Sequence, residues 1–107
     1  MITIEDFSKC EIRVGKVIEA EDVAESRKLI KLTVDVGENK PRTVFTGVRG
    51  YGYTAVDFQD KQFLFVTNLE PKKIMEQESQ GMILATDTAE KPLFISAAGM
   101  PVGAKVR

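Results

Sequence analysis

The stretch LIKLTVDVG, residues 29–37, alternates apolar and polar side chains along almost its whole length. A period of two is typical of a β-strand with one buried face. The apolar set is Ile30, Leu32, Val34 and Val36, and the polar set is Lys31, Thr33 and Asp35. Residues 37–40 are typical of a turn, and PRTVFTGV, residues 41–48, has the composition of a returning strand. We therefore predict an antiparallel hairpin with a polar outer face.

Other stretches carry weaker strand signals. CEIRVGKVIEA, residues 10–20, is rich in β-branched residues, and the interruption at Gly15 predicts a bulge or a sharp bend. QFLFVTNL (62–69) is apolar enough to be buried on both faces, and GMILATD (81–87) and PLFISAA (92–98) are further candidates. Thr3 can cap a short helix over residues 4–9. Residues 49–60 predict a loop with a helical turn, and residues 99–107 predict an irregular tail.

Five or six strands, one of them bent, with little helix favour a small closed β-barrel. The length and the long first strand fit an all-β domain over residues 1–107: a five-stranded oligonucleotide/oligosaccharide-binding barrel (OB-fold) with short helices and a C-terminal extension. Such barrels bind ligands on the outer face of strands 2 and 3 and with the loops between strands 1–2 and 4–5. On that face we expect Lys31, Thr33, Arg42 and Thr46. The flanking loops would be residues 19–28 and 70–79.

The composition argues against catalysis by this chain alone. Its 107 residues include no histidine and one cysteine, which removes Ser-His-Asp, Cys-His and histidine-metal sites. The acidic residues are scattered, so we expect no enzyme activity, no cofactor and no metal. We expect Cys10 to be buried as a small apolar residue. The lone cysteine, an N-terminus unlike a signal peptide and the lack of an apolar run of about 18 residues favour a cytoplasmic protein that does not enter a membrane.

The net charge of −1 conceals an uneven distribution. Residues 1–26 are mainly acidic, whereas residues 27–49 carry only Asp35 and Glu38 against six basic residues. The basic residues are Arg27, Lys28, Lys31, Lys40, Arg42 and Arg49. This segment could attract a polyanion, although solvated strand faces would give the same pattern.

Six motifs in order resemble one family. They are IRVGKV (12–17), KLIKLTVDVG (28–37), RTVFTGV (42–48), NLEPKK (68–73), ESQGMILA (78–85) and PVGAKV (101–106). Together they make the chain similar to the tRNA-binding domain of methionyl-tRNA synthetases. That domain occurs as the C-terminal part of the synthetase, as a separate β-chain, and as a stand-alone dimeric tRNA-binding protein.

The resemblance implies an OB barrel that binds tRNA by its shape, and a homodimer built through the C-terminal extension. A methionyl-tRNA synthetase catalytic chain is a further implied partner. The residues that match the family's tRNA-binding positions are Lys28, Lys31, Arg42, Asn68, Lys72, Lys73, Ser79, Gly81 and Met82.

The chemistry of these residues suits RNA, with alternatives for several of them. The lysines and the arginine would contact phosphates. Asn68 and Ser79 would contact a ribose hydroxyl or a base edge, although Asn68 could instead bond backbone at a strand end. Gly81 would permit a close approach or form a bulge. Met82 would pack on an unstacked base, or would belong to the core.

Two other functions remain open at this point. Some proteins with this barrel resemble secretion-related chaperones, which would bind unfolded peptides on the same surface. An enzyme working alone is the third alternative, and the missing histidine and the lack of a nucleotide-binding loop argue against it.

Overall fold

The computed structural model of the chain describes residues 1–107 as a mostly β structure. The elements in chain order are α1 (Ile4–Ser8), β1 (Ile12–Asp22), β2 (Ile30–Asp35), β3 (Arg42–Thr46), 3-10 helices at Arg49–Tyr51 and Ala55–Asp57, β4 (Gln62–Val66), β5 (Lys72–Ile74), β6 (Gln77–Ser79), β7 (Met82–Ile83), β8 (Ala85–Asp87) and β9 (Pro92–Phe94). Five strands form an antiparallel sheet in the order β3-β2-β1-β4-β7, and β5-β6 and β8-β9 form two small hairpins.

The central hairpin β2–β3 is confirmed, with its alternation as predicted. Ile30, Leu32 and Val34 are fully buried. The predicted outer face is wrong for Arg42 and Thr46, because the register places Lys31 opposite Phe45, but Arg42 opposite Val34 and Thr46 opposite Ile30. Since residues directly opposite each other share a face of the sheet, Arg42 lies on the inward side at the barrel end and does not share a face with Lys31.

Strand β1 is the long bent strand of the barrel. It pairs with β4 through residues 12–16 and with β2 through residues 16–22. The bulge predicted at Gly15 lies further along, where the register shifts between Val17 and Glu19. Gly15 serves packing instead, because a Cβ there would lie 2.6 Å from the Phe65 ring and 2.7 Å from a methyl of Val34.

The barrel is nearly closed by the segment between β6 and β7. Strand β7 pairs with β4 at one edge of the sheet. At the other edge the backbone N–H of Gln80 donates to Thr43 O (2.7 Å), and the N–H of Phe45 donates to Ser79 Oγ (3.0 Å). The all-β OB-type barrel predicted from the sequence is therefore confirmed.

One apolar cluster fills the barrel. It consists of Val17, Ile30, Leu32, Val34, Val36, Val44, Val48, Phe58, Phe63, Phe65 and Ile83. Phe58 enters from the loop after β3 and packs edge-on against Phe94 (ring centroids 5.1 Å apart). Edge-to-face aromatic contacts of this kind stabilise a core beyond their buried area. The β8–β9 hairpin is held onto the barrel partly by this contact.

Several local predictions need correction. Residues 70–79, predicted as a loop, form the β5–β6 hairpin, whose two-residue turn has Met75 at φ 47° and Glu76 at φ 72°, as in a type I′ turn. The run 81–87 is divided between β7 and β8, because β7 joins the barrel and β8 pairs with β9. Residues 92–98 form a strand only as far as Phe94.

The two ends of the chain lie on the first half of β1. Helix α1 begins with the predicted cap, in which Thr3 and Asp6 bond each other's backbone. The prediction for Cys10 is wrong, since it follows this helix in an exposed position. The tail is mainly irregular but not free, because Val14 N–H donates to Ala104 O (2.9 Å) and Val106 N–H donates to Ile12 O (2.8 Å). None of the helices has the length and apolar composition that crossing a membrane would require.

Candidate nucleic-acid interface

Three adjoining depressions follow the barrel wall along β3 and the β5–β6 hairpin. The polar cleft, of about 680 Å³, is lined by Glu38, Asn39, Lys40, Pro41, Arg42, Thr67, Leu69, Pro71 and Gln80. The apolar groove, of about 570 Å³, is lined by Phe45, Leu69, Glu70, Lys72, Ile74, Ser79, Gly81 and Met82. The acidic groove, of about 650 Å³, is lined by Glu21, Asp22, Val23, Ala24, Glu25, Lys31, Phe45, Met75, Glu76 and Gln77. Leu69 joins the first two and Phe45 joins the last two.

Arg42 binds the parts of the polar cleft together. Its Nε and Nη2 donate to the two carboxylate oxygens of Glu38, each at 2.8 Å, and Nη1 donates to Gln80 O (3.1 Å) and to Thr67 O. This bidentate pairing keeps the pKa of Glu38 below its ordinary value of 4.5 and raises that of Arg42. The guanidinium thus holds the turn after β2, the end of β4 and the segment before β7 in one arrangement.

The apolar groove has a hydrophobic floor with a cation at its edge. Met82 is 47% exposed, so the alternative that placed it in the core is wrong. Ile74 on β5 and Phe45 on β3 line the same groove, and Phe45 is buried under the hairpin rather than inside the barrel core. The charged residues of the lining are Lys72 and Glu70. An apolar surface next to an ammonium group suits a nucleobase and its phosphate.

Ser79 and Gly81 shape this groove through the backbone. Ser79 is 6% exposed, and its hydroxyl accepts a hydrogen bond from Phe45 N–H and lies 3.4 Å from Gly81 O. Gly81 has φ +142°, and a Cβ there would lie 2.7 Å from Val66 O. The hydroxyl and the glycine therefore set the spacing between β3, β6 and β7.

The side chain of Asn68 forms hydrogen bonds with the backbone, which is the second of the two roles that the sequence allowed for it. Its Oδ1 accepts from Glu11 N–H (2.8 Å), and its Nδ2 donates to Lys9 O (2.6 Å). Both halves of the amide join the end of β4 to the segment between α1 and β1. The neighbouring Thr67 hydroxyl donates to a carboxylate oxygen of Glu11 (2.7 Å), and the hydrogen bond from Arg13, together with this one, lowers the pKa of Glu11.

Ion pairing removes much of the positive charge that the sequence places at residues 27–49. Lys31 lies 3.7 Å from Glu21, and Arg49 lies 3.8 Å from Asp22. With Arg42 on Glu38, half of the six basic residues of this segment are paired, two of them with acids from residues 1–26. Lys31 lies in the acidic groove, where the other charged lining residues are all carboxylates.

Several exposed cations near this wall take part in no ion pair. Lys72 and Lys73 are exposed on β5 and take part in none of the five ion pairs. Lys40 is exposed and unpaired at the rim of the polar cleft. Lys28 is also exposed, but it lies in the β1–β2 loop and lines none of the three depressions.

The structure therefore brings five of the nine predicted site residues to the polar cleft and the apolar groove: Arg42, Lys72, Ser79, Gly81 and Met82. Lys31 lies just beyond Phe45 in the acidic groove, and Lys28, Asn68 and Lys73 lie outside all three linings. Sequence reasoning missed Lys40, Leu69 and Gln80 as lining residues. Counting the hairpin register would have placed Phe45 beside Lys31, but no local signal marks Leu69 or Gln80.

A fourth depression, of about 610 Å³, lies apart from this wall. We call it the aromatic cleft, and its lining includes Tyr53, Phe58, Phe63, Leu93 and Phe94. It shares no lining residue with the other three. Tyr53 donates its hydroxyl to Pro92 O (2.6 Å) and so fixes the β8–β9 hairpin.

Comparison with known proteins identifies the family. Residues 12–105 match the family model described as "Putative tRNA binding domain". A methionine–tRNA ligase of Methanocella arvoryzae is 44% identical over 106 residues, which are 99% of this chain and 15% of that protein. The chain thus spans about 15% of the length of the curated relatives it matches.

Solved structures show the same likeness over the whole fold. The crystal structure of a MetRS-related protein from Pyrococcus horikoshii has a TM-score of 0.92 and 38% sequence identity, and the match covers 100% of this chain and 98% of that one. A CsaA chaperone protein from Picrophilus torridus has a TM-score of 0.87 and 28% identity, with 100% of both chains covered. The match over residues 12–105, the ligase relatives and the OB-type barrel agree, and this chain belongs to the family of tRNA-binding domains that methionine–tRNA ligases carry.

Proposed function

We propose that residues 1–107 act as a non-catalytic module that binds tRNA by its shape along the polar cleft and the apolar groove. The observation that carries the proposal is the unpaired ammonium of Lys72 at the edge of a groove floored by the half-exposed Met82 above the buried Phe45. Phosphate contacts by unpaired cations supply most of the affinity of nucleic-acid surfaces. Stacking on the groove floor would add a contribution that does not depend on base sequence.

The proposal assigns different roles to the nine predicted residues. Lys72 and Lys73 contact phosphates directly, Met82 contacts a base, and Lys28 adds a distant phosphate contact from the β1–β2 loop. Arg42, Asn68, Ser79 and Gly81 act by holding the wall in shape, since their polar groups are engaged within the fold. Lys31 contributes little, because Glu21 balances its charge.

Binding of unfractionated tRNA tests the function. We expect a gel-shift titration to give saturable binding that weakens as salt rises, since phosphate contacts release counterions. Unfolded polypeptide serves as competitor, and we expect excess peptide to leave the tRNA complex intact. Binding that is insensitive to salt, or no binding at all, would refute the proposal.

A peptide-binding function of the chaperone type is the second candidate. It is favoured by the likeness to the CsaA structure and by the exposed apolar residues Leu69, Met75 and Met82 along the wall. The same competition distinguishes the two candidates. If unfolded peptide displaces tRNA, or if the chain binds peptide and does not bind tRNA, the chaperone-type function is favoured over tRNA binding.

We further propose that the module is a homodimer and works in the cytoplasm with a methionyl-tRNA synthetase, either as a separate chain or as part of one. The C-terminal segment leaves Leu93, Ile95 and Met100 exposed by 45%, 37% and 51%. Exposed apolar surface is typical of interfaces where it is contiguous. A dimer would present two clefts to one tRNA, and linked engagement raises affinity without a new kind of contact.

The dimer is tested by light scattering. We expect the unaltered chain to have twice the monomer mass at micromolar concentration, and Leu93→Asp with Met100→Asp to have the monomer mass. Met75→Asp is the control, because it removes an equally exposed apolar residue at the far hairpin tip, where aspartate suits the positive φ. A monomeric unaltered chain would contradict this part of the proposal and leave tRNA binding to be judged separately.

A further inference from the structure

One side chain of the polar cleft has only half of its hydrogen-bonding groups engaged. The Oε1 of Gln80 accepts from the backbone N–H of Thr43 at 3.0 Å. A backbone N–H can only donate, so this contact fixes which end of the amide is oxygen. The Nε2 group therefore carries its two N–H donors on the other side, and neither has a partner in the protein. Gln80 is exposed and lines the cleft.

The backbone of Gln80 is held as firmly as its amide oxygen. Its N–H donates to Thr43 O at 2.7 Å, and its carbonyl accepts from Arg42 at 3.1 Å. Three bonds to β3 thus fix the residue before any ligand arrives. Little conformational freedom would be lost when the free donors bind, and such preorganisation favours affinity.

The rest of the cleft supplies a cation and an acceptor. Lys40 is exposed and unpaired, and Glu38 on the same lining is kept ionised by Arg42. The guanidinium of Arg42 balances the negative charge of the Glu38 carboxylate, and each carboxylate oxygen can still accept one more hydrogen bond. Pro41 and Pro71 form two walls with restricted backbone. The cleft thus offers donors, an acceptor and one free positive charge.

We propose that the polar cleft binds a ribose of the RNA strand, with Gln80 Nε2 donating to the 2′-hydroxyl oxygen and Lys40 contacting the adjacent phosphate. A hydroxyl both donates and accepts, and the 2′-hydroxyl is the group that distinguishes RNA from DNA. The carboxylate of Glu38 accepts its O–H. A site for phosphate alone would not include that carboxylate. The inference rests on the proposed tRNA-binding function and adds the source of its preference for RNA.

Gln80→Glu is the decisive variant. It keeps an oxygen for Thr43 N–H but replaces the two free donors with an acceptor. We expect tRNA affinity to fall about tenfold, as for the loss of one such hydrogen bond plus a new repulsion. The ratio of affinities for tRNA and for a DNA strand of the same sequence should fall by less, about fivefold, because the new charge repels both polymers whereas the lost ribose contact affects RNA alone.

Gln77→Glu is the matched control. It makes the same change of charge on β6, but its side chain lines the acidic groove and makes no hydrogen bond within the fold. We expect this variant to leave the ratio of tRNA to DNA affinity within about twofold of the unaltered chain, because a distant charge acts on both polymers alike. Thermal unfolding of both variants checks that the barrel is intact.

Two outcomes would overturn the inference while tRNA binding itself stands. One is an equal loss of tRNA and DNA affinity in Gln80→Glu, which would make the contact a phosphate contact. The other is a Gln80→Glu variant that behaves like Gln77→Glu. If the unaltered chain does not bind tRNA at all, the proposed function fails instead, so the two failures are distinguishable.

A second variant keeps the test independent of the Thr43 contact. Lys40→Gln alters a side chain that holds nothing in the fold. We expect it to lower tRNA affinity about threefold and to reduce the salt dependence by about one phosphate contact. An unchanged salt dependence would remove Lys40 from the site and leave the cleft without its phosphate contact, contrary to the proposal.

Discussion

Replacing Lys72 and Lys73 together with glutamate is expected to weaken tRNA binding at least about tenfold at 0.1 M salt and to lower the slope of log affinity against log salt by roughly 1.5. Both side chains are exposed on β5 and unpaired, so they are free to contact phosphates. Each phosphate contact contributes about 0.7–0.9 to the slope. A titration at several salt concentrations measures both effects.

The single variants should differ. Neighbouring residues of a strand point to opposite faces, and only Lys72 lines the apolar groove. Lys72→Glu should therefore produce the larger loss of affinity. Equal losses would mean that the RNA passes over the hairpin rather than along the wall.

A matched control lies at the other end of β4. Lys16 and Lys61 are exposed and unpaired, and Lys16 is in register with Gln62 at the start of that strand. Lys16→Glu with Lys61→Glu makes the same change in net charge away from the wall, and we expect affinity to change about twofold or less. If both double variants weaken binding equally, the effect is one of overall charge, and the assignment of the β5–β6 hairpin is wrong.

Replacing Gly81 with alanine is expected to destabilise the chain by roughly 2–4 kcal/mol, because the backbone is strained and the new methyl group collides with Val66 O. The φ of +142° disfavours any side chain, and the carbonyl 2.7 Å away belongs to the backbone of β4 and cannot rotate aside. For a domain of this size the melting temperature should fall by roughly 10 °C or more. Thermal unfolding followed by circular dichroism measures the change.

Gly52→Ala separates the two causes. Gly52 has φ +94°, but a Cβ there would meet nothing within 4 Å. We expect it to cost about 1 kcal/mol, so the excess loss in Gly81→Ala reports the collision. Below its melting transition Gly81→Ala should still bind tRNA. A stable Gly81→Ala variant without affinity would instead make Gly81 a contact residue.

The central hairpin could be predicted because its signal is local. Alternation over residues 29–37 fixes which side chains face the core, and the turn and the return strand follow directly. The β5–β6 hairpin gave no such signal, because KKI and QES do not alternate and the turn uses Met75 and Glu76 instead of the Asn-Gly typical of type I′ turns. Its place on the barrel depends on Ser79 reaching Phe45, which lies 34 residues away in the chain.

The pairing of Lys31 shows why the site was harder to predict than the fold. An uninterrupted ladder from Lys16 opposite Asp35 would place Ile30 opposite Glu21. The bulge between Val17 and Glu19 moves the register by one residue and places Lys31 opposite Glu21. This one-residue shift brings Lys31 next to the carboxylate of Glu21, which balances its positive charge. From the sequence alone, Lys31 was expected to be free to bind phosphate.

The sequence by itself determined the barrel, the order of its main strands and membership of a tRNA-binding family, since periodicity and motif order are properties of neighbouring residues. Only the tertiary structure decided which cations are free to meet a polyanion. It paired Lys31, Arg42 and Arg49 with carboxylates and left Lys40, Lys72 and Lys73 unpaired. The reason is that electrostatic attraction depends on distance in space, and residues far apart in the chain become neighbours only when the barrel closes.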